Sequence, residues 1–191
     1  MKHSTPKKLP IVLGVTGASG TIYARRLVEE LISQDIPVEL ICSEAGEQVA
    51  RYEKEVSLFK LVSKRHDINN YFSPSASGTA KYHAMVVLPC SMGTLGAIAS
   101  GTGLNLLVRS ADVFLKESRP LIVCPREMPL SRIHLQNMLT LHDAGAKIVP
   151  PSPFFYYHPE TMDDLVNTVV GKVLDQLNIP HTLFKPWAQN D

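Results

Sequence analysis

The sequence predicts an α/β fold, a parallel sheet covered on both faces by helices in three layers, and three observations predict it. Strand-like and helix-like segments alternate along most of the chain. Several strand-like segments, Met85-Val86-Val87-Leu88-Pro89 above all, are short apolar runs without alternation, as in parallel strands buried on both faces. These runs end in small or polar residues, where an open α/β sheet presents its ligand-binding groups. With 191 residues, 45% apolar and 19% charged, one domain can bury a full core. About residues 1–9 and 180–191 read as terminal tails.

Taken in order, Pro10 to Val15 is the first strand. Thr16-Gly17-Ala18-Ser19-Gly20 turns into a helix with Ile22, Leu27, Leu31 and Ile32 as apolar positions. Val38 to Cys42 is the second strand, and Ser43 has the right chemistry to cap a helix running to Glu53. From Glu55 to Lys81 the periodicity fades. Asn69-Asn70, Ser73-Pro74-Ser75 and Ser77-Gly78 mark a loop-rich insert, of a length more often functional than idle. Met85 to Pro89 is the third strand, followed by helices over Thr94–Ala99 and Leu107–Glu117. Leu121 to Cys124 is the fourth strand, and Ile133 to His142 a helix stopped near Gly145. Lys147-Ile148-Val149 is the fifth strand, ended by Pro150-Pro151. Met162 to Leu177 forms the last helix, with Leu165, Val169, Val173 and Leu177 along one face.

Composition excludes several function classes. A formal net charge of +1 supplies no basic surface for nucleic acid or anionic lipid. No run reaches the ~20 apolar residues of a membrane span, and the start lacks the apolar segment of a signal peptide. Cys42, Cys90 and Cys124 fall at or near strand ends without CxxC spacing, which favours buried, reduced thiols and a cytoplasmic protein over disulfides or zinc. No histidine pair has metal-ligand spacing; His134 and His142 fall on a helix surface.

The candidate chemistry gathers at strand ends. Gly17-Ala18-Ser19-Gly20 opens the first helix, where glycines admit a ligand to the backbone and the helix start offers N–H groups. This is not GxGxxG, and Cys42-Ser43 stands where a dinucleotide-binding carboxylate would close the second strand. Flavin mononucleotide (FMN) therefore fits better than a dinucleotide, beside the plainer reading of a tight turn without a ligand. Cys90-Ser91-Met92-Gly93-Thr94 is a second small-residue turn at a helix start. Arg109, Lys116, Arg126 and Lys172 are the cations best placed near the rim to hold a phosphate and stabilise it as it leaves. Glu127 suits proton transfer and an ion pair equally. Phe154-Phe155-Tyr156-Tyr157, outside the fifth strand, suits a flat or apolar substrate and equally an oligomer contact. Trp187 raises the same pair of readings.

Together, GASG after the first strand, PCSMGTL, R-x-ADV-x-LKE, PREMPLSRIHL, GAKIVPPSPFFY and KVLDQL closely resemble the UbiX/Pad flavin prenyltransferases, from about Ile11 to Ile179. The resemblance implies a Rossmann-like or flavodoxin-like fold, metal-independent FMN binding, and transfer of a dimethylallyl group from dimethylallyl phosphate to N5 and C6 of reduced FMN. The product, prenylated FMN, serves UbiD-type decarboxylases, including those of ubiquinone synthesis, and many members assemble as homododecamers. Carried over by position, Gly17, Ala18, Ser19, Ser43, Ser91, Met92, Gly93, Thr94, Arg109 and Arg126 would hold FMN. Lys116, Arg126, Tyr156 and Lys172 would hold the substrate phosphate. Glu127, Ser19, Lys116 and Glu53 would act in catalysis, while Tyr71 and Trp187 would line the prenyl pocket. Tyr71 stands where relatives often carry Trp. Lys172 stands where Arg also occurs, a point charge in place of a planar fork. The alternatives are an FMN-dependent cysteine decarboxylase of the phosphopantothenoylcysteine type, disfavoured because PCSMGT is not PASANT, and a non-catalytic FMN-binding regulatory subunit.

Overall fold

Five consecutive residues of low polarity, Ile11–Val15, form the central strand β1, and all five are buried. Each large side chain there gains about 1.5–3 kcal/mol from leaving water, which a strand can realise only with helices on both faces. In the computed structural model, which describes residues 8–185 and residue 187, β1 lies between β2 (Val38–Cys42) and β4 (Ala84–Cys90), parallel to both. Ile11, Leu13 and Val15 pack with α1 (Thr21–Ser33) and α7 (Met162–Leu177) in one core. On the other face Val12, Met85 and Val87 pack with α4 (Met92–Ala99), α5 (Leu106–Lys116) and α6 (Arg132–Asp143). Three layers result, as expected.

The sheet has six strands in the order β3-β2-β1-β4-β5-β6, all parallel, with β5 at Leu121–Pro125 and β6 at Lys147–Ile148. The direction in which successive strands are added reverses between β1 and β4, so a crevice opens there at the carboxyl rim. One strand departs from the sequence reading. The segment expected to be loop-rich contains α3 (Leu58–Leu61), a three-residue edge strand β3 (Lys64–His66) and a 3-10 turn at Pro74–Ala76. KRH carries no strand pattern; pairing with β2 forms it, and Ile41 lies opposite His66. The five strands read from sequence stand in the flavodoxin order 2-1-3-4-5, and β3 extends it to the Rossmann order.

Helix ends follow their caps. Ser43, Ser91, Asn105, Ser131 and Thr161 each accept a backbone N–H from the first turn of α2 (Glu44–Tyr52), α4, α5, α6 and α7 respectively. Described residues within both expected tails bond to the body of the domain. Lys8 Nζ donates to Gln34 O at 2.7 Å, and residues 180–185 fold back on α7, with His181 bonded to Asp175 and Gln34 Nε2 donating to Pro180 O. Residues 1–7, 186 and 188–191 lie outside the described residues. Among the described residues no helix is long and apolar enough to cross a membrane, and no cluster of His, Cys, Asp or Glu could hold a metal.

Candidate functional site

The crevice between β1 and β4 is closed at its floor by Thr16, a buried residue the sequence reading passed over. Its Oγ1 donates to Pro89 O at 2.9 Å and accepts Ser91 N–H at 2.7 Å, so the two strand ends and their turns are locked together. A hydroxyl at the end of an apolar strand, opposite a proline that cannot donate, was the available signal. On this floor stand the two turns picked out from sequence. Gly17 must be glycine because a Cβ there would lie 2.6 Å from the Cβ of Ala45 at the start of α2. Gly20 sits at φ 109°, in the region that favours glycine, and caps α1.

The start of α1 does not wait for an anion. Glu53, at the end of α2, receives Gly20 N–H at 3.0 and 3.2 Å and Thr21 N–H at 2.8 Å, with Ser19 as a side-chain partner. Burial pushes its carboxyl up, but these hydrogen bonds outweigh burial and hold it below the usual carboxylate range. The anion-binding role expected for this helix start is therefore taken by a resident carboxylate. At α4, by contrast, the first-turn N–H groups have no intrahelical acceptor, Ser91 Oγ bonds Thr94, and a Cβ on Gly93 would meet nothing within 4 Å. That cradle is polar and leaves the backbone at Gly93 open to a ligand, so the residues present fit FMN.

Arg126, on the exposed turn after β5, reaches over this crevice. Its N–H donates to Cys90 O at 3.1 Å and its Nε donates to Ser19 O at 3.3 Å. The structure thus brings Gly17, Ala18, Ser19, Ser43, Glu53, Ser91, Met92, Gly93, Thr94 and Arg126 to adjoining strand ends. Arg109, in the first half of α5 at the same rim, pairs with Asp112 (2.7 Å). Lys116 and Lys172 also pair with carboxylates of their own neighbourhood, Glu117 and Asp175, whereas Arg126 has no carboxylate partner within reach among the described residues. Glu127 is exposed and, among the described residues, accepts only the N–H of Met128, at 3.0 Å. Burial pushes the Cys42 thiol up to about 12 and those of Cys90 and Cys124 higher, so no thiolate nucleophile is present.

Two of the four cations expected near this rim are elsewhere. Helix α5 descends from the carboxyl rim, and Lys116 ends it at the opposite rim, against Gly78 and close to the residues that precede β4 and β5. Lys172 lines a cleft of about 610 Å³ beside the edge strand β6, with His142, Lys147, Ser152 and Gln176. Tyr156 stacks on Phe154 at 4.5 Å and meets Trp187 edge-on at 4.9 Å, while Phe154 meets Phe184 at 5.1 Å. Within one chain, Lys116, Arg126 and Tyr156 therefore occupy three separate places. The reason is connectivity: a residue at the end of a crossover helix lies at the wrong end of the sheet, which spacing along the chain does not reveal.

Residues 1–174 match the Flavoprotein family model, which sets the class. The flavin prenyltransferase UbiX of Methanocaldococcus jannaschii is 46% identical over 183 residues, covering 94% of this chain and 99% of its own. The crystal structure of AnUbiX in complex with FMN and dimethylallyl pyrophosphate superposes with a TM-score of 0.92 at 36% identity, covering 96% of this chain and 100% of that one. A dodecameric FMN-dependent UbiX-like decarboxylase from Escherichia coli O157:H7 gives 0.89 at 38%, covering 94% and 99%. The chain belongs to the UbiX flavin prenyltransferase family.

Proposed function

We infer that this protein is a flavin prenyltransferase that moves the dimethylallyl group of dimethylallyl phosphate onto N5 and C6 of reduced FMN, and that the prenylated FMN passes to a UbiD-type decarboxylase. The observation that carries the reading is Arg126, a cation without a carboxylate partner among the described residues, held over Ser19 and the open start of α4 in a chain that matches UbiX over nearly its whole length. FMN, when bound, supplies the ring atoms that accept the five-carbon unit. The Gly17–Ser19 and Ser91–Thr94 turns, with Ser43 and Arg109, would seat it. Glu53 orients the Ser19 hydroxyl and occupies the α1 dipole, which leaves Arg126 to attract phosphate.

As the allyl C–O bond breaks, phosphate leaves with the electron pair, and cations around it lower the barrier. Aromatic faces of Tyr71, Tyr156 and Trp187 suit the allyl cation. Glu127, exposed and uncommitted, is placed to take the proton displaced from the flavin ring. Lys116, Tyr156 and Lys172 reach one phosphate together with Arg126 only if neighbouring copies supply them. A homo-oligomer, a homododecamer as in the E. coli relative, therefore completes the site. Lys116 gives up only an exposed partner, Glu117, to do so, at small cost. With three buried free thiols, the reading places the protein in a reducing cytoplasm.

Incubating the reduced FMN complex with dimethylallyl phosphate and weighing the extracted flavin tests this. A mass gain of one five-carbon unit is expected. An unchanged flavin overturns the reading, and carbon dioxide released from a cysteinyl substrate would put a cysteine decarboxylase in its place.

A further inference from the structure

A buried polar chain that the prenyl-transfer reading does not use runs along the edge of the second core. Tyr82 O–H donates to Glu39 Oε2 at 2.9 Å, and His66 Nε2 meets the same oxygen at 2.7 Å. On its far side His66 Nδ1 lies 2.9 Å from Ser73 Oγ, which lies 3.1 Å from Ser75 Oγ. Ser110 O–H donates to Ser75 Oγ at 2.9 Å. The chain crosses four pieces of structure: β2, the edge strand β3, the segment 67–83 and α5. His66, Ser73, Ser75 and Ser110 are all buried.

Donor and acceptor accounting gives the chain one direction. The Glu39 carboxylate can only accept, so both Tyr82 O–H and His66 Nε2–H donate to it. In the tautomer with its one proton on Nε2, His66 accepts the Ser73 proton at Nδ1. Ser73 then accepts from Ser75, and Ser75 from Ser110, which leaves every proton of the chain placed. A complete network of this kind specifies position, whereas apolar residues of similar shape would be at least as stabilising. Regular secondary structure is what this region lacks. Strand β3 has only three residues, too few to fix its own register, and segment 67–83 has no regular element longer than the 3-10 turn.

That segment is a strap laid along α5 from one rim to the other. At its lower end Gly78 O accepts from Arg119. At its upper end Ile68 O accepts Leu106 N–H at 2.8 Å, and Tyr71 O–H donates to Gly103 O at 2.9 Å. Ser73 is two residues from Tyr71, and Leu106 is one helical turn from Arg109. The polar chain is thus the interior anchor of the strap that presents Tyr71 and braces the first turn of α5.

We propose that Glu39, His66 and Ser73 are positioning residues for the prenyl pocket: they hold the strap so that Tyr71 closes the pocket around a five-carbon allyl phosphate and excludes longer chains. This rests on the reading of Tyr71 as a wall of that pocket. Ser73→Ala cuts the chain between His66 and the part of the strap that carries Tyr71, while keeping Tyr82, Glu39 and His66 together. Flavin mass is followed with dimethylallyl phosphate alone and in competition with ten-carbon geranyl phosphate. The expected result is FMN affinity within about twofold of the parent, KM for dimethylallyl phosphate raised about tenfold with kcat nearly kept, and discrimination against the longer donor reduced about tenfold. Tyr71→Phe, which removes only the hydroxyl bond to Gly103 from a half-exposed ring, should move selectivity in the same direction and decides the matter if Ser73→Ala does not fold. A lowered melting temperature with KM and selectivity unchanged overturns the proposal, because a purely structural chain would give that result. If the parent adds no mass with either donor, the prenyl reading fails and this proposal with it; a normal parent beside unaltered variants sinks this proposal alone.

Discussion

Glu53 does two jobs with one carboxylate: it satisfies two backbone N–H groups at the start of α1 and holds Ser19 at the mouth of the crevice. Its native pKa is depressed, so the unfolded chain binds that proton more readily. The stability it adds is present in full above the unfolded value of about 4.3 and is lost as pH falls through the lower native value. Glu53→Gln should cost about 1 kcal/mol at neutral pH, and urea unfolding across a pH series should find the difference from the parent shrinking as pH falls below about 4.3. Glu127 differs in kind, because its carboxylate is exposed and bonds only its own neighbour's N–H. Glu127→Gln should leave stability and flavin binding alone and slow prenyl transfer by roughly a hundredfold; turnover at the parent rate would remove the proton role.

Among elements, the start of α2 presses so closely on the β1–α1 turn that only a glycine fits at position 17. Gly17→Ala forces backbone apart at the crevice floor, where overpacking costs about 1–3 kcal/mol. The expected outcome is a lowered melting temperature together with weakened FMN binding by fluorescence titration, since the same turn seats the ligand. Strand β3 makes the complementary point. Its residues Lys64, Arg65 and His66 are polar, and only the register with β2 and the Glu39–His66 bond give them a strand's place. The strap after it binds the flank of α5 through serines spaced as a loop, so no periodic pattern marks it.

For the whole molecule, the separation of Lys116 from Arg126 across the height of the sheet makes a specific demand. Lys116→Ala should keep FMN and lose prenylation by about a hundredfold, or ~3 kcal/mol. Mixing dissociated and reassembled Lys116→Ala and Arg126→Ala proteins should restore part of the activity, because some sites then receive both native cations from different copies. Mixtures as inactive as their parts would mean that no neighbour contributes. The exposed apolar side chains Ile133, Leu135 and Leu139 on α6, with Met128 just before it, are surface that such an assembly can cover. By itself the sequence determined the layers, five of the six strands, the Ser43 cap and both turns of the crevice, because apolar runs and small-residue turns act over a few neighbouring residues. Only the tertiary structure decided that Glu53 fills the α1 start, that Thr16 ties β1 to β4, that KRH becomes a strand, and that Lys116 and Lys172 leave the rim. Each of those depends on which chain segments the sheet order and crossover direction bring together, and contacts between residues far apart in sequence leave no local pattern to read.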